Sequence, residues 1–234
     1  MKKDNILCRE WDESYSRSEN FAFYPKEESV KFLNRFVRKR VGIDKFKDIL
    51  DLSKKVRGLD FGCGIGRMTI LMREFGIDAY GVDISRNAIV VAKKLARHFR
   101  YTDMRGKFSV MDGKEIPFPD SFFDITISEG VLDSMDFGLA RKLIKEIDRV
   151  TKKLLFLSLI SGEDGRHPKQ FCGQEIVNTK HENGTIQSYF NCEKIKRLIK
   201  GTKFTIETCH LIQDKSLIPV SLTSRYYIVL RKKE

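Results

Sequence analysis

Three alternate glycines, Gly62, Gly64 and Gly66, stand between a short apolar run at residues 56–61 and a helical stretch that continues to Phe75. A strand that turns into a helix over so few residues needs backbone conformations closed to most side chains, and glycine supplies them. The same glycines let a ligand approach the backbone where a Cβ would exclude it, and the helix behind them presents unpaired N–H groups. A tight strand-to-helix turn without any ligand would use the same pattern.

The chain after this turn alternates apolar runs with helical periodicity, the signature of βαβ units and a parallel sheet. The readings are strands at 56–61, 78–82, 108–111, 123–128 and 154–159, with helices at 67–75, after Ser85, and at 139–150. Gly76 is placed to stop the first helix, and Ser85 to cap the second. Asn191 caps a last helix that ends at Gly201, and two strands at 204–212 and 222–230 close the sequence. Ahead of the turn, residues 26–41 carry Val30, Leu33, Val37 and Val41 on one helical stripe widened by Phe36, interrupted by Asn34, with Gly42 as terminator. Residues 161–189 show no clear period and contain His167, Pro168 and His181, so they read as a functional lid or as structure that periodicity misses.

At 234 residues the chain suits one domain with appendages. It divides into an N-terminal helical cap at 1–50, a core at 56–160 and a candidate acceptor lid at 161–191. No run is apolar for the length of a membrane span, and the first residues lack a signal-peptide core, so a cytoplasmic protein is expected. Five cysteines at 8, 63, 172, 192 and 209 show no paired C-x-x-C spacing, which implies reduced thiols and no metal site. The net charge of +12 is concentrated after residue 136. Such an excess attracts polynucleotides or clothes an ordinary solvated surface, and the basic clusters here are no longer than Arg38-Lys39-Arg40 and Arg231-Lys232-Lys233.

A second motif bears on the turn. Asp83 ends the second strand, close to the ~20 residues past the glycines at which a carboxylate accepts from a ribose diol. The glycines run G-x-G-x-G and are followed by Arg67, where a dinucleotide fingerprint has a small residue. With Asp60 two positions before the first glycine, with Val110-Met111-Asp112-Gly113, and with residues 116–124 (IPFPDSFFD), the sequence resembles the class I S-adenosylmethionine-dependent methyltransferases over residues 56–160. The resemblance implies a Rossmann-like, doubly wound α/β fold with a mostly parallel seven-stranded sheet whose last strand is antiparallel.

The resemblance also implies site residues. Gly62, Cys63, Gly64 and Gly66 would surround the amino acid end of S-adenosylmethionine, and Asp83 would hold the ribose hydroxyls. Asp112 would accept from the adenine amino group beside Gly113, Ile84 would pack on adenine or ribose, and Glu129 would line the methyl end. For Asp112 the alternative is a loop aspartate bonding its own backbone, and for Ile84 it is plain core. Residues 11–15 (WDESY) with Tyr24 and Pro25 look like segments that cover the cofactor in small-molecule and sugar-modifying members, and Tyr15 or Tyr24 would reach the cofactor carboxylate or serve as packing. Two departures stand out. Thr151-Lys152-Lys153 replaces a Lys-Pro-Gly-Gly type turn, and Ser134 stands where many members have a histidine, so no catalytic base is assigned.

The expected activity is methyl transfer by in-line displacement to a small-molecule or glycan-type acceptor. An RNA (tRNA or rRNA) methyltransferase is the first alternative, disfavoured because Ser128-Glu129-Gly130-Val131 replaces an Asn-Pro-Pro-Tyr-like sequence. A non-catalytic cofactor-binding protein is the second.

Overall fold

The structure is a computed structural model that describes residues 3–51, 55–165, 171–179 and 182–233. Helix α1 (Lys3–Ser16) and helix α2 (Glu27–Phe32) precede a short antiparallel pair, β1 (Arg38–Arg40) and β2 (Phe46–Asp48). The core follows as β3 (Arg57–Phe61), α3 (Arg67–Glu74), β4 (Asp78–Asp83), α4 (Arg86–His98), β5 (Phe108–Val110), β6 (Phe123–Glu129), α5 (Phe137–Val150) and β7 (Thr151–Ile160). A second small pair, β8 (Gln174–Ile176) and β9 (Ile186–Ser188), leads to α6 (Cys192–Ile199) and the closing hairpin β10 (Phe204–Leu217) and β11 (Val220–Lys232).

Seven of these strands form one sheet in the order β10-β11-β7-β6-β3-β4-β5. β3 pairs in parallel with β4 and β6, β4 with β5, and β6 with β7, whereas β11 runs antiparallel to both β7 and β10. The expected doubly wound sheet with an antiparallel last strand is therefore present. Period-two alternation buries both faces of the central strands. Leu155, Leu157 and Leu159 of β7 meet Leu143, Ile144 and Ile147 of α5, while Leu154 and Phe156 meet Phe32 and Leu33 on the opposite side. A third cluster packs α4 on β5 through Ile89, Ala92, Ala96 and Phe108.

The helix expected at 26–41 is shorter. α2 gives way to a wide π-type turn at Leu33–Val37 and then to β1, so Val41 is exposed in the loop and Gly42 ends no helix. Phe32, Leu33, Phe36 and Val37 all pack into the core across this turn, and Asn34 is exposed. Residues 161–189, read as lacking periodicity, contain the β8–β9 pair: each strand has three residues, too few for a pattern to register. His167, Pro168 and His181 lie outside the described residues. Three helix starts follow the side chains that mark them, with Ser85, Asp136 and Asn191 accepting from the N–H of Ala88, Leu139 and Lys194.

The turn from β3 to α3 is held from beneath. Gly66 caps α3 in the left-handed region at φ 87°, and a Cβ there would lie 2.8 Å from the Phe108 ring. Asp60, buried at the end of β3, accepts from the backbone N–H of Thr69 at 2.9 Å and from its hydroxyl at 2.7 Å, so a strand carboxylate caps the first turn of the helix. Burial pushes the Asp60 carboxyl up to about 7, against the pull of the Thr69 hydrogen bonds.

A carboxyl raised on folding binds more protons in the native state, so its contribution is full below the ordinary Asp value and is lost as pH rises through about 7. Replacing Asp60 by Asn keeps an acceptor for Thr69 and removes the titration. Urea midpoints at pH ~5 and ~8 should therefore fall less with rising pH in Asp60→Asn than in the wild type. Equal falls in the two proteins would mean that Asp60 titrates normally.

Candidate cofactor and acceptor site

Beyond the carboxyl ends of β3, β4 and β6, a cavity of about 490 Å³ opens, within the ~300–1,000 Å³ common for small-molecule sites. Its wall combines the glycine turn, the strand ends carrying Asp83, Ile84, Met111, Asp112, Gly113 and Glu129, and parts of the N-terminal segment and of the closing hairpin. Asp60 and eight of the nine residues given a cofactor role from the sequence line this one cavity, and the ninth, Gly66, is the cap of α3.

Within that wall the carboxylates differ in what they already hold. Asp83 Oδ2 accepts from the Gly64 N–H at 2.8 Å and Oδ1 from the Ser85 N–H at 2.9 Å, so the end of β4 fixes the glycine turn and the start of α4 together. Burial raises the Asp83 carboxyl above its usual range, opposed by these N–H donors. Asp112 is exposed, and its Oδ1 accepts from the N–H groups of Lys114 and Glu115. Those two donors hold it below the usual carboxylate range. Its second oxygen leaves an acceptor at the cavity edge, so the loop-bonding reading and a ligand-facing role are compatible.

Glu129 joins the cap to the core. Its Oε2 accepts from the Ser29 hydroxyl at 2.6 Å, and its Oε1 pairs with Arg67 at 2.9 Å and lies 3.4 Å from Lys26 Nζ. α1 contributes Trp11 and Tyr15, whose hydroxyl stands where a side chain at Gly64 would have to go, and Gly64 itself has φ 52°. Burial, with the Asp83 charge nearby, pushes the Tyr15 phenol well above its ordinary value. Tyr24 is highly exposed and lies off this cavity, although its carbonyl accepts from Arg67. Asp12 locks α1 in place by accepting from the Ser85 hydroxyl at 2.7 Å and the Asn87 N–H at 2.9 Å at the start of α4.

On the far side, over β6, β7 and β11, the wall contains residues that sequence reasoning did not single out. Asp133 is buried. Its Oδ2 accepts from the Ile160 N–H at 2.8 Å and from Arg225 at 2.7 Å, and its Oδ1 has no hydrogen-bond partner among the described residues. Arg225 also donates to the Ser158 hydroxyl at 3.0 Å. Met135, Leu139 and Leu143 give this end an apolar floor. Ser134 lines the cavity but donates its hydroxyl to the Gly130 carbonyl. From the segment after β7, Gln187 and Glu182 reach the cavity, and the Glu182 N–H donates to Glu19. Arg225 immediately precedes the apolar run Tyr226 to Leu230, the one sequence signal beside it, and nothing local marked Asp133.

The residues present fit S-adenosylmethionine. The turn exposes bare backbone to the cavity at Gly62 and Gly64, where side chains would collide with Val131 and the Tyr15 hydroxyl, Asp83 and Asp112 supply acceptors at the two strand ends, and Ile84 and Met111 supply an apolar surface between them. Among the described residues no cluster of His, Cys, Asp and Glu has the makings of a metal site, and no helix is long and apolar enough to cross a membrane.

Comparison with known proteins gives the same assignment. Residues 52–219 match the family described as a methyltransferase domain. The chain is 28% identical to the sterol 4-C-methyltransferase strm-1 of Caenorhabditis elegans over 70% of its own length and 52% of that protein. It is 27% identical to the ajmaline N-methyltransferase of Rauvolfia serpentina, over 77% of its length and 64% of the relative. It thus spans between half and two thirds of these proteins. Among solved structures, the 1,6-didemethyltoxoflavin-N1-methyltransferase of Burkholderia thailandensis, with its substrate and S-adenosylhomocysteine bound, superposes with a TM-score of 0.67 at 14% identity, over 98% of this chain and 88% of that one. The chain belongs to the methyltransferase domain family and shares the fold of that class I methyltransferase.

Proposed function

We propose that this protein transfers a methyl group from S-adenosylmethionine to a small-molecule acceptor. The carrying observation is that one cavity holds both the glycine turn with Asp83 and, next to it, a walled compartment closed by α1 and by residues 182–187. When bound, the cofactor supplies an activated methyl group on a positively charged sulfur, so the protein's task is alignment and exclusion of water. Asp83, held by the N–H groups of Gly64 and Ser85, would accept from the ribose hydroxyls at the cavity wall, and Asp112 would offer its second oxygen to the adenine amino group. Gly62, Cys63 and Gly64 line the amino acid end, and Glu129, fixed by Ser29 and Arg67, faces the reacting end.

An enclosed site favours a small acceptor over a polynucleotide. α1 is tied to α4 through Asp12, and the segment after β7 is tied to the loop after β6 by Ser188 N–H to the Asp133 carbonyl at 2.7 Å and by the Ser188 hydroxyl to the Met135 carbonyl at 2.6 Å. The two flank the cavity as a cap and a lid. The relatives named for a sterol and for ajmaline are methyltransferases of small molecules, which supports the same acceptor class here. No general base is assigned; Ser134 is engaged with Gly130.

Calorimetry should show saturable binding of S-adenosylmethionine or S-adenosylhomocysteine, and its absence for both would overturn the cofactor assignment. Asp83→Ala should weaken that binding about ten- to a hundredfold, ~1.5–3 kcal/mol, and an unchanged affinity would remove Asp83 from the ribose. A radiolabelled methyl screen should find acceptors in the small-molecule fraction of an extract. Methylation of a tRNA or rRNA transcript at one nucleotide, persisting at ~200 mM salt, would instead establish the polynucleotide reading.

A further inference from the structure

Two cations from distant parts of the chain share the acceptor side of the cavity. Lys26 precedes α2, and Arg225 lies on β11, opposite Ile160 of β7. Both line the cavity, and Arg225 stands so close to Gly130 that a Cβ there would be 3.4 Å from its Nη2. Neither is fully engaged. Lys26 makes one ion contact, 3.4 Å from Glu129, whose Oε1 is already held by Arg67 at 2.9 Å. Arg225 directs Nε to Ser158 and Nη2 to Asp133, while Nη1 has no hydrogen-bond partner among the described residues.

Such an arrangement is unfavourable by itself. Lys26 is held below its ordinary range first by burial and then by the nearby Arg225 cation, only partly offset by Glu129 and Asp133. Two like charges turned into one partly desolvated space repel, and a negative group between them would be attracted by both. The local balance points the same way. Lys26, Arg67 and Arg225 face Glu129 and Asp133, one positive charge in excess, and a bound sulfonium adds another. Asp133 lies behind Arg225, with 1% of its side chain exposed against 19%, so an incoming anion meets the guanidinium first. The remaining carboxylates of the wall lie elsewhere, Asp60, Asp83 and Asp112 at the glycine turn and the strand ends, Glu19 and Glu182 on the cap side, so the excess of positive charge is confined to the end that Lys26 and Arg225 share. Arg17, Ser14 and the Glu182 N–H hold Glu19, and Glu182 acts on Tyr15 over the glycine turn.

We propose that the acceptor carries an anionic group, a carboxylate or a phosphate, bound between Lys26 and Arg225, with its apolar body on Met135, Leu139 and Leu143. This rests on the methyltransferase reading and names its acceptor class. Held there, the acceptor would lie beside Gly130 and Glu129, next to the reacting end of the cofactor, so the two cations select and orient it without taking part in bond making.

The test uses full-length protein saturated with S-adenosylhomocysteine at ~150 mM salt, where long-range attraction to the basic surface is screened. Inorganic phosphate and benzoate are titrated separately by calorimetry, which separates the phosphate from the carboxylate source. Saturable binding of at least one is expected, weakened about tenfold or more in both Lys26→Gln and Arg225→Gln, and partly restored in Arg225→Lys. Affinity for S-adenosylhomocysteine should stay within about threefold, a change of less than ~1 kcal/mol. No saturable anion binding, or binding that both variants leave intact, would overturn the proposal. So would a parallel loss of S-adenosylhomocysteine affinity, which would assign the cations to the cofactor carboxylate. If wild-type protein binds no S-adenosylhomocysteine, the cofactor reading fails separately, and the same anion titrations on the free protein still decide the role of Lys26 and Arg225. In the methyl screen, the active small-molecule fraction should be retained on an anion exchanger at neutral pH, and activity confined to the unretained fraction would contradict it.

Discussion

Asp60 and Asp83, at the ends of two adjacent parallel strands, grip the same turn from opposite sides. Asp60 accepts from Thr69 in the first turn of α3, and Asp83 accepts from Gly64 in the middle of the glycine run and from Ser85 at the start of α4. The turn is thereby fixed relative to β3, β4 and two helices at once. Both carboxylates are buried, a cost that their N–H partners offset and that a turn free to move would not sustain. The cavity inherits its shape from this clamp: Gly64 meets Tyr15 of α1 on one side, and Asp12 returns from α1 to the α4 N-terminus on the other.

The sequence made the clamp visible because each part of it is local. Gly62 to Gly66, Asp60 and Asp83 occupy fixed offsets from a strand end, and the alternation of apolar runs around them specifies a parallel sheet almost strand by strand. The same holds for Ser85 and Asn191, whose capping roles depend on residues three positions away. Elements that depend on contacts far along the chain were legible only in part. The cap docks through Phe32, which stacks on Phe156 of β7 at 4.8 Å between ring centroids just before the π-type turn at Leu33–Val37, and helical periodicity announces neither the partner nor the turn. The β8–β9 pair is too short to carry a pattern and is held instead by Asp133 and Met135 after β6.

The acceptor side follows the same rule more strongly. Arg225 and Asp133 are 92 positions apart, and Ser29 and Glu129 are 100 apart, yet each pair is in hydrogen-bond contact. A cofactor that is the same across a family can be held by short motifs. A compartment for a particular acceptor is assembled from the cap, the loop after β6 and the closing hairpin, and its chemistry is set by which side chains those segments bring together.

That assembly also changes what the charge of +12 means. Counted along the chain, the excess suggests a partner with phosphates. In space, several basic side chains are partnered by carboxylates, Arg73 by Asp103, Lys107 by Asp78, Arg149 by Glu146 and Asp120, and Arg231 by Glu207, which leaves the net excess unchanged but neutralises the field at those positions. Exposed pairs of this kind are worth little to stability, but each lowers the local field that a polynucleotide would sense. Charges in the cavity behave differently, because low-dielectric walls strengthen their interactions and salt screens them less. On the proposed reading, the cations that choose a ligand are therefore not the clusters conspicuous in the sequence, Arg38 to Arg40 and Arg231 to Lys233, but the isolated Lys26 and Arg225, which the fold brings to the wall of one cavity.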